Sequence, residues 1–551
     1  MAVPRFKSKL NPNSPEFQKN YAEMQQVVAQ LHERLHESLG QGEQRHIERH
    51  LRRGQLLGRD RLELLLDQDS PFLELMPLAG WGQDNMTLGG SIVAGIGLVC
   101  GVECLVSASV ATMKGGAMNK VSAQKSLRLH EIAMQNRLPS ISLIESAGAD
   151  LTQQDEVFHS GGRTFRDLAR RSKAGLPTMS IVFGSSTAGG AYNPGMSDYT
   201  VMVKDQAKVF LGGPPLVKMA TGEVVDEESL GGADMHSKLS GVSDYLAIDE
   251  LDAIRKAREI IHNLHWEKAT PLPKTHLLPS IEGRRTAEGI IGEVEEPWYD
   301  PEELLGVVSP NIRVPLDVRE IIARVVDGSR ISEFKPLYGS TLVTCFARIH
   351  GFPVGILASN GVLFSESACK GTQFIDLCNQ RSTPLIFMHN ITGFMVGKKY
   401  EEGGIIKHGS KFINAVSNSG VPHISLILGA SYGAGNYGMC GRAYNPRFLF
   451  SWPHSKCSVM GPEQLTGVMD IVQREAARKS GRTLDEEVAQ RRKEMFAKLV
   501  EEQSDAYYTS SRLIDDGIID PRDTRTVLGF CLSVIYSAEV KGDNHGGVSR
   551  M

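Results

Sequence analysis

Gly184-Ser-Ser-Thr-Ala-Gly-Gly190-Ala-Tyr192 and Gly429-Ala-Ser-Tyr-Gly-Ala-Gly435-Asn-Tyr437 stand 245 positions apart, and each closes an apolar run that opens on a proline, Pro177 or Pro422. Thirty-eight residues before those prolines the same device occurs: Pro139 leads Ser140-Ile-Ser-Leu-Ile144 into Glu145-Ser-Ala-Gly148, and Pro384 leads Leu385-Ile-Phe-Met388 into Asn390-Ile-Thr-Gly393. Further upstream, Gly89 to Gly101 and Gly339 to Gly351 share a spacing of 12. One offset across several features is hard to obtain by chance. The chain reads as two copies of one α/β domain, in which apolar strands alternate with helical stretches such as Lys125–Gln135 and Gly404–Ala415.

Seven of the 25 prolines fall between Pro271 and Pro315 and mark a linker between the copies. The expected organisation is an N-terminal helical segment over 1–60 belonging to the N domain, an N-terminal domain over 61–270, a proline-rich linker over 271–315 and a C-terminal domain over 316–551. Ser14-Pro15 has the form of a helix start, and Phe17, Tyr21, Met24, Val28, Leu31 and Leu35 follow at helical spacing. That helix is expected to dock on its own domain. Ile92–Met113 is long enough for a membrane span, but Glu103, three glycines and two serines interrupt it; two short buried strands turning at Gly101-Val102 fit better.

Composition narrows the function classes. The 551 residues carry a net charge of −4, so no basic balance points to nucleic acid. Eight cysteines include no CxxC pair, which removes a zinc ribbon and leaves buried thiols in a reducing compartment. Met1–Lys19 has basic residues but no apolar core of a secretory signal. The expectation is a cytoplasmic protein outside the membrane, holding no metal. Glycine is the outlier, 56 of 551, about 10% against a usual value of roughly 7%.

A strand ending in a glycine turn lets consecutive backbone N–H groups converge on one oxygen, because no Cβ blocks the approach. Such a pair stabilises an enolate or tetrahedral oxyanion. Two such turns, at Gly189-Gly190 and Ala434-Gly435, suit two substrates that exchange a group. Gly433-Ala-Gly435-Asn-Tyr-Gly438 also matches GxGxxG, but Trp452–Pro462 lacks the acidic residue a dinucleotide site needs. Glu145 and Glu156 are weaker acid/base candidates, for which surface or capping roles fit better. His236 and His408 lack metal-ligand spacing. Lys114 fits a phosphate-facing lysine and a plain surface one equally.

Gly184–Gly195 (GSSTAGGAYNPG), Leu211–Lys218 (LGGPPLVK), Ala220–Val224, Gly231–Gly241 (GGADMHSKLSG), Asn390–Gly397 (NITGFMVG) and Gly429–Pro446 (GASYGAGNYGMCGRAYNP) resemble the carboxyltransferase (β) subunit of biotin-dependent acyl-CoA carboxylases. Asn390–Gly397 and Gly433–Asn436 are similar to the 3-methylcrotonyl-CoA and geranyl-CoA branch. Tyr192–Tyr199 and Glu145-Ser lean to the geranyl version, whereas Ala147 and Asp150 depart from the pattern common to both, so the acyl chain stays open.

The resemblance implies two tandem crotonase-like ββα-superhelix domains, the N-terminal one on the acyl-CoA side and the C-terminal one on the carboxybiotin side. It implies that the Gly189 and Gly190 amides hold the thioester enolate oxygen and those of Ala434 and Gly435 the ureido oxygen of biotin. Lys114, Gly115, Gly148, Tyr192 and Gly195 would then bind substrate, and Gly393 and Phe394 would lie on the biotin side. Biotin would be carried by an α subunit with biotin carboxylase and carrier modules rather than by this chain. The active site would lie between neighbouring subunits of a β hexamer, within an α6β6 complex. A propionyl-CoA-type carboxyltransferase, a biotin-dependent decarboxylase subunit, a crotonase-type hydratase and a non-catalytic scaffold are the alternatives.

Overall fold

Aliphatic residues run through Ile92–Val99 and Val102–Ser109, and the two segments form the expected antiparallel pair. They turn at Cys100-Gly101, both left-handed at φ 51° and 77°. Asp67 closes the turn, accepting from the Cys100 and Gly101 amides at 2.8 and 2.7 Å, and Arg258 pairs with it at 2.8 Å. Burial disfavours its charge, yet the Gly101 and Cys100 amides and then the guanidinium hold the Asp67 carboxyl below its usual range. The second copy builds the same corner. Leu342–Ile349 and Phe352–Ser359 turn at His350-Gly351, whose amides donate to Asp327 at 2.8 and 2.7 Å, with Arg525 at 2.7 Å.

The structure, a computed structural model, describes residues 3–273, 285–286, 289–290, 294–481, 485–543 and 547–549. It divides into an N-terminal unit, Glu33–Ala269 with Ser511–Leu513, and a C-terminal unit, Met1–His32 with Thr270–Ser510 and Ile514–Met551. Among the described residues the N-terminal unit's sheet has the order Phe72–Glu74, Ile92–Val99, Val102–Ser109, Ser140–Ser146, Thr178–Thr187, Tyr199–Val203, Tyr245–Ala247. Lys208–Phe210 pairs against the end of Thr178–Thr187. The C-terminal unit has Ser332–Glu333, Leu342–Ile349, Phe352–Ser359, Leu385–Ile391, His423–Tyr432, Phe448–Ser451, with Lys456–Ser458 against the end of His423–Tyr432. In both, pairing turns parallel after the second long strand, and a helix, Lys120–Gln135 or Ser365–Gln380, makes the first crossover. Strands covered on both faces need apolar side chains throughout, which is why Met179–Phe183 and Ile424–Leu428 are almost uninterrupted. No helix among the described residues is long and apolar enough to cross a membrane.

The ten-residue strand of each sheet carries a bulge at the same place. Ile144 pairs with Val182 and Ser146 with Ser186, leaving Glu145 alone opposite three residues. His389 pairs with Ile427 and Ile391 with Ser431, leaving Asn390 in the equivalent position. A bulge bends its strand and re-aims the residues beyond it. It also explains two glycines: a Cβ on Gly184 would lie 2.7 Å from the Glu145 side chain, and one on Gly429 2.7 Å from Asn390 Oδ1.

Two expectations about organisation change. The helix Pro15–Ser38 forms as read, but Met1–His32 belongs to the C-terminal unit, not with the N domain. The physical reason is local: Phe17 fills the space left by Gly306, Tyr21 donates to Glu302 at 2.6 Å, and Ser8 and the Lys9 amide bind Glu320 at 2.6 and 3.0 Å. The proline-rich stretch 271–315 lies partly outside the described residues, at 274–284, 287–288 and 291–293. Its described part is no free tether, since Leu304, Leu305, Val307 and Val308 are buried.

Gly429→Ala is expected to lower stability by about 1–3 kcal/mol through overpacking against Asn390, read as a fall in the denaturation midpoint. Gly162→Ala, on an exposed helical position with open space at Cβ, is expected to raise it by up to about 1 kcal/mol. Equal shifts in both variants would refute the bulge as the reason for Gly429.

Candidate active site

Past the bulge each long strand ends in a turn whose first residue is left-handed: Ala188 at φ 54° in the N-terminal unit and Gly433 at φ 57° in the other, again 245 apart. The reversal sends Gly189-Gly190 and Ala434-Gly435 into the opening turn of a short helical segment, Ala188–Ala191 or Gly433–Gly438. Amides there lack a good acceptor one turn back, and no group elsewhere in the described residues bonds to them. Each pair thus leaves two consecutive backbone donors unpartnered among the described residues.

In the N-terminal unit the expected substrate residues gather beside this turn. The Ala147 amide donates to the Gly115 carbonyl at 2.9 Å, which fastens the Lys114-Gly115 loop to Gly148. A Cβ on Gly148 would lie 3.1 Å from the Thr187 carbonyl, directly ahead of the turn. Lys114 is half exposed; Nζ lies 3.3 Å from the Asn85 carbonyl and 3.7 Å from Asp150. The Thr152 hydroxyl first, and then Lys114, hold the Asp150 carboxyl below its usual range. Tyr192 packs edge-on against Phe165 at 5.7 Å, and the same Phe165 ring lies under Gly189. Gly195 has open space at its Cβ position.

The C-terminal unit repeats part of the arrangement. Gly393, left-handed at φ 125°, bonds through its carbonyl to the Leu363 amide at 3.0 Å, and its Cα lies 3.2 Å from where a Gly435 Cβ would stand. Phe394 turns its ring inward, against Gly409 and Gly438. Its place is thus packing beneath the turn. His389 and His454 stand at this end of the sheet, and burial pushes both down to about 4. They are neutral near pH 7.

The weaker candidates have structural partners. Glu145 pairs at 2.7 Å with Arg61, a buried guanidinium that also holds Glu250 at 2.8 Å and lies 4.3 Å over the Phe183 ring. That is neither an acid/base placement nor a surface one. Glu156 pairs with Lys120, His236 bonds Ser240 and the Val209 carbonyl, and His408 meets the Cys369 thiol at 3.0 Å. Among the described residues no three His, Cys, Asp or Glu side chains are grouped to hold a metal. Sequence reasoning missed Ala188 and Ser186, whose Oγ donates to the Gly190 carbonyl at 3.0 Å. Aligning the copies at 245 was the available signal, since Gly433 and Ser431 fall on them.

Comparison with known proteins gives the family. The carboxyl transferase domain family matches residues 49–546. A probable biotin-dependent acyl-coenzyme A carboxylase beta2 subunit of Mycobacterium tuberculosis is 55% identical, over 99% of this chain and 100% of that one. A probable mitochondrial methylcrotonoyl-CoA carboxylase beta chain of Drosophila melanogaster is 50% identical, over 95% and 92%. The crystal structure of the P. aeruginosa geranyl-CoA carboxylase beta subunit superposes with a TM-score of 0.88 at 43% identity, covering 100% of both chains.

Exchanging the left-handed residues tests the duplicated turn. Ala188→Gly removes a strain of roughly 1 kcal/mol and is expected to leave stability level or higher. Gly433→Ala introduces that strain and sets a Cβ 3.0 Å from the Val459 carbonyl, and is expected to lower stability. A lower midpoint for Ala188→Gly than for Gly433→Ala would contradict the equivalence.

Proposed function

The chain belongs to the carboxyl transferase domain family, as a carboxyltransferase of the methylcrotonyl-CoA and geranyl-CoA carboxylase type, and we propose that it works through two backbone anion sites, one for each of its substrates. Its two α/β units are crotonase-type domains. The single observation that carries the reading is the repeated turn, with first-turn amides at Gly189-Gly190 and Ala434-Gly435 left without internal partners.

On the acyl-CoA side, assigned to 61–270, the Gly189 and Gly190 amides hold the thioester oxygen as it becomes an enolate oxygen. Lys114, Gly115, Gly148, Tyr192 and Gly195 line the approach, Lys114 with a half-exposed ammonium for a phosphate. On the other side, assigned to 316–551, the Ala434 and Gly435 amides hold the ureido oxygen of a biotin presented by a partner α subunit. When bound, that biotin supplies a labile carboxyl group and, after its release, a base. Two neutral, buried histidines, His389 and His454, fit this division, because neither is poised as a base near pH 7. The Asn390–Gly397 and Tyr192–Tyr199 motifs support a branched 2,3-unsaturated acyl group of the methylcrotonyl or geranyl type. Proton loss would then occur at its γ carbon. A β hexamer with biotin-carrying α subunits in the cytoplasm completes the proposal.

Gly190→Pro and Gly435→Pro each remove one N–H. Loss of an oxyanion donor costs about 10²–10³ in rate, so carboxyl transfer is expected to fall at least that far while the partner's own biotin carboxylation persists. Retained transfer in both variants would sink the assignment. Bicarbonate fixation by the complex across methylcrotonyl-, geranyl-, citronellyl- and propionyl-CoA tests the acyl class; propionyl-CoA as the best substrate would overturn it.

A further inference from the structure

Beside the Ala434-Gly435 turn runs a chain of three side chains for which carboxyl transfer itself has no use. Asn436 Nδ2 donates to Ser431 Oγ at 2.8 Å, and Ser431 Oγ bonds His389 Nδ1 at 2.9 Å. His389 and Ser431 are fully buried. Asn436 is tied at further points: Nδ2 lies 3.8 Å from Cys457 Sγ, and its carbonyl accepts from the Gly441 amide at 2.8 Å. A Cβ on Gly441 would lie 1.8 Å from Asn436 Oδ1, so the amide occupies the room that glycine leaves. One residue after Gly435 is thereby anchored to the Leu385–Ile391, His423–Tyr432 and Lys456–Ser458 strands.

The first copy fastens its turn differently. Ser186, equivalent to Ser431, donates straight to the Gly190 carbonyl at 3.0 Å. Ile144 and Ala191 stand where the second copy has His389 and Asn436, so no side-chain relay is available there. A backbone carbonyl held from below fixes only one peptide plane. A side chain bonded into the sheet fixes the whole residue following the two donors.

An amide nitrogen only donates, so Ser431 Oγ accepts from Asn436 and its own hydrogen is free for the imidazole. Burial holds His389 neutral, pushed down to about 4, so Nδ1 can take that hydrogen near pH 7.

We propose that the His389–Ser431–Asn436 chain is the positioning device of the second turn, holding the Ala434 and Gly435 amides at the attitude that meets the carbonyl oxygen of a cyclic urea. The inference rests on assigning that turn to the biotin side. These are positioning residues; none is placed to touch the reacting atoms.

The test uses the full-length chain and runs carboxyl transfer in reverse, from the carboxylated acyl-CoA to free biotin, titrating each substrate separately. Asn436→Ala, Asn436→Asp and Ser431→Ala are expected to lower kcat/KM for free biotin by ten- to a hundredfold, the scale of a misplaced catalytic group. The KM for the acyl-CoA should stay within twofold. Ser431→Thr, which keeps the hydroxyl, should restore most of the loss. Ser186→Ala should give the opposite pattern, changing the acyl-CoA parameters and sparing those for biotin. Should Ser431→Ala fail to fold, the two Asn436 variants and Ser431→Thr decide the matter. Biotin parameters within twofold of the parent in the Asn436 variants would overturn the inference, as would equal losses for both substrates. Gly435→Pro separates the two failures: if it retains transfer, the site reading itself falls; if it abolishes transfer while Asn436→Ala is silent, only the positioning role falls.

Discussion

The long strand of each sheet contains more chain than its neighbour can pair, and the surplus has to go somewhere. It goes into a bulge at Gly184 or Gly429, where the neighbour's Glu145 or Asn390 side chain lies on the glycine in place of a Cβ. After that bend the strand reverses through a left-handed residue, Ala188 or Gly433, into a short helical segment. The fit at one glycine thus stands five and six residues ahead of Gly189-Gly190 or Ala434-Gly435.

The two copies keep the backbone device and change the chemistry around it. Glu145 is locked by Arg61 and Glu250 into a buried ion cluster, whereas Asn390 answers the same geometry without charge. Breaking one partner out of such a cluster strands the others, which makes it costly to alter. The first copy accepts strain at Ala188 where the second uses glycine. These differences accompany the division between two substrates proposed for the turns.

The repeat was legible because a shared offset is a property of spacing, independent of packing. It placed the strands, the turns and the Gly148 and Gly393 positions, and each glycine does stand against its own turn. The partners of those residues were not legible. Arg61 lies 84 and 189 positions from Glu145 and Glu250, and only folding brings such separations together. Asp67 and Asp327 escaped because unequal insertions break the common offset before the first strands. Phe394, placed on the biotin side by the family resemblance, is partly buried and packs against Gly409 and Gly438, neighbours that spacing alone does not reveal. An amphipathic stripe on Pro15–Ser38 announces a buried face without saying against what, which is why its docking partner differs from the expected one.

That first helix also fixes an order of events during synthesis. Phe17, Met24, Val28 and Leu31 are synthesised first, whereas Glu302, Gly306 and Glu320, which receive the start of the segment, are made almost 300 residues later. At about 5–20 residues per second Phe17 waits on the order of fifteen seconds to a minute for Gly306, the glycine it packs against. The earlier copy can close its sheet in the meantime, while the later one cannot be completed from its own stretch of chain. A fragment beginning at the second copy would lack its first helix, so the two repeats, though alike in fold, are not separable at the boundary between them.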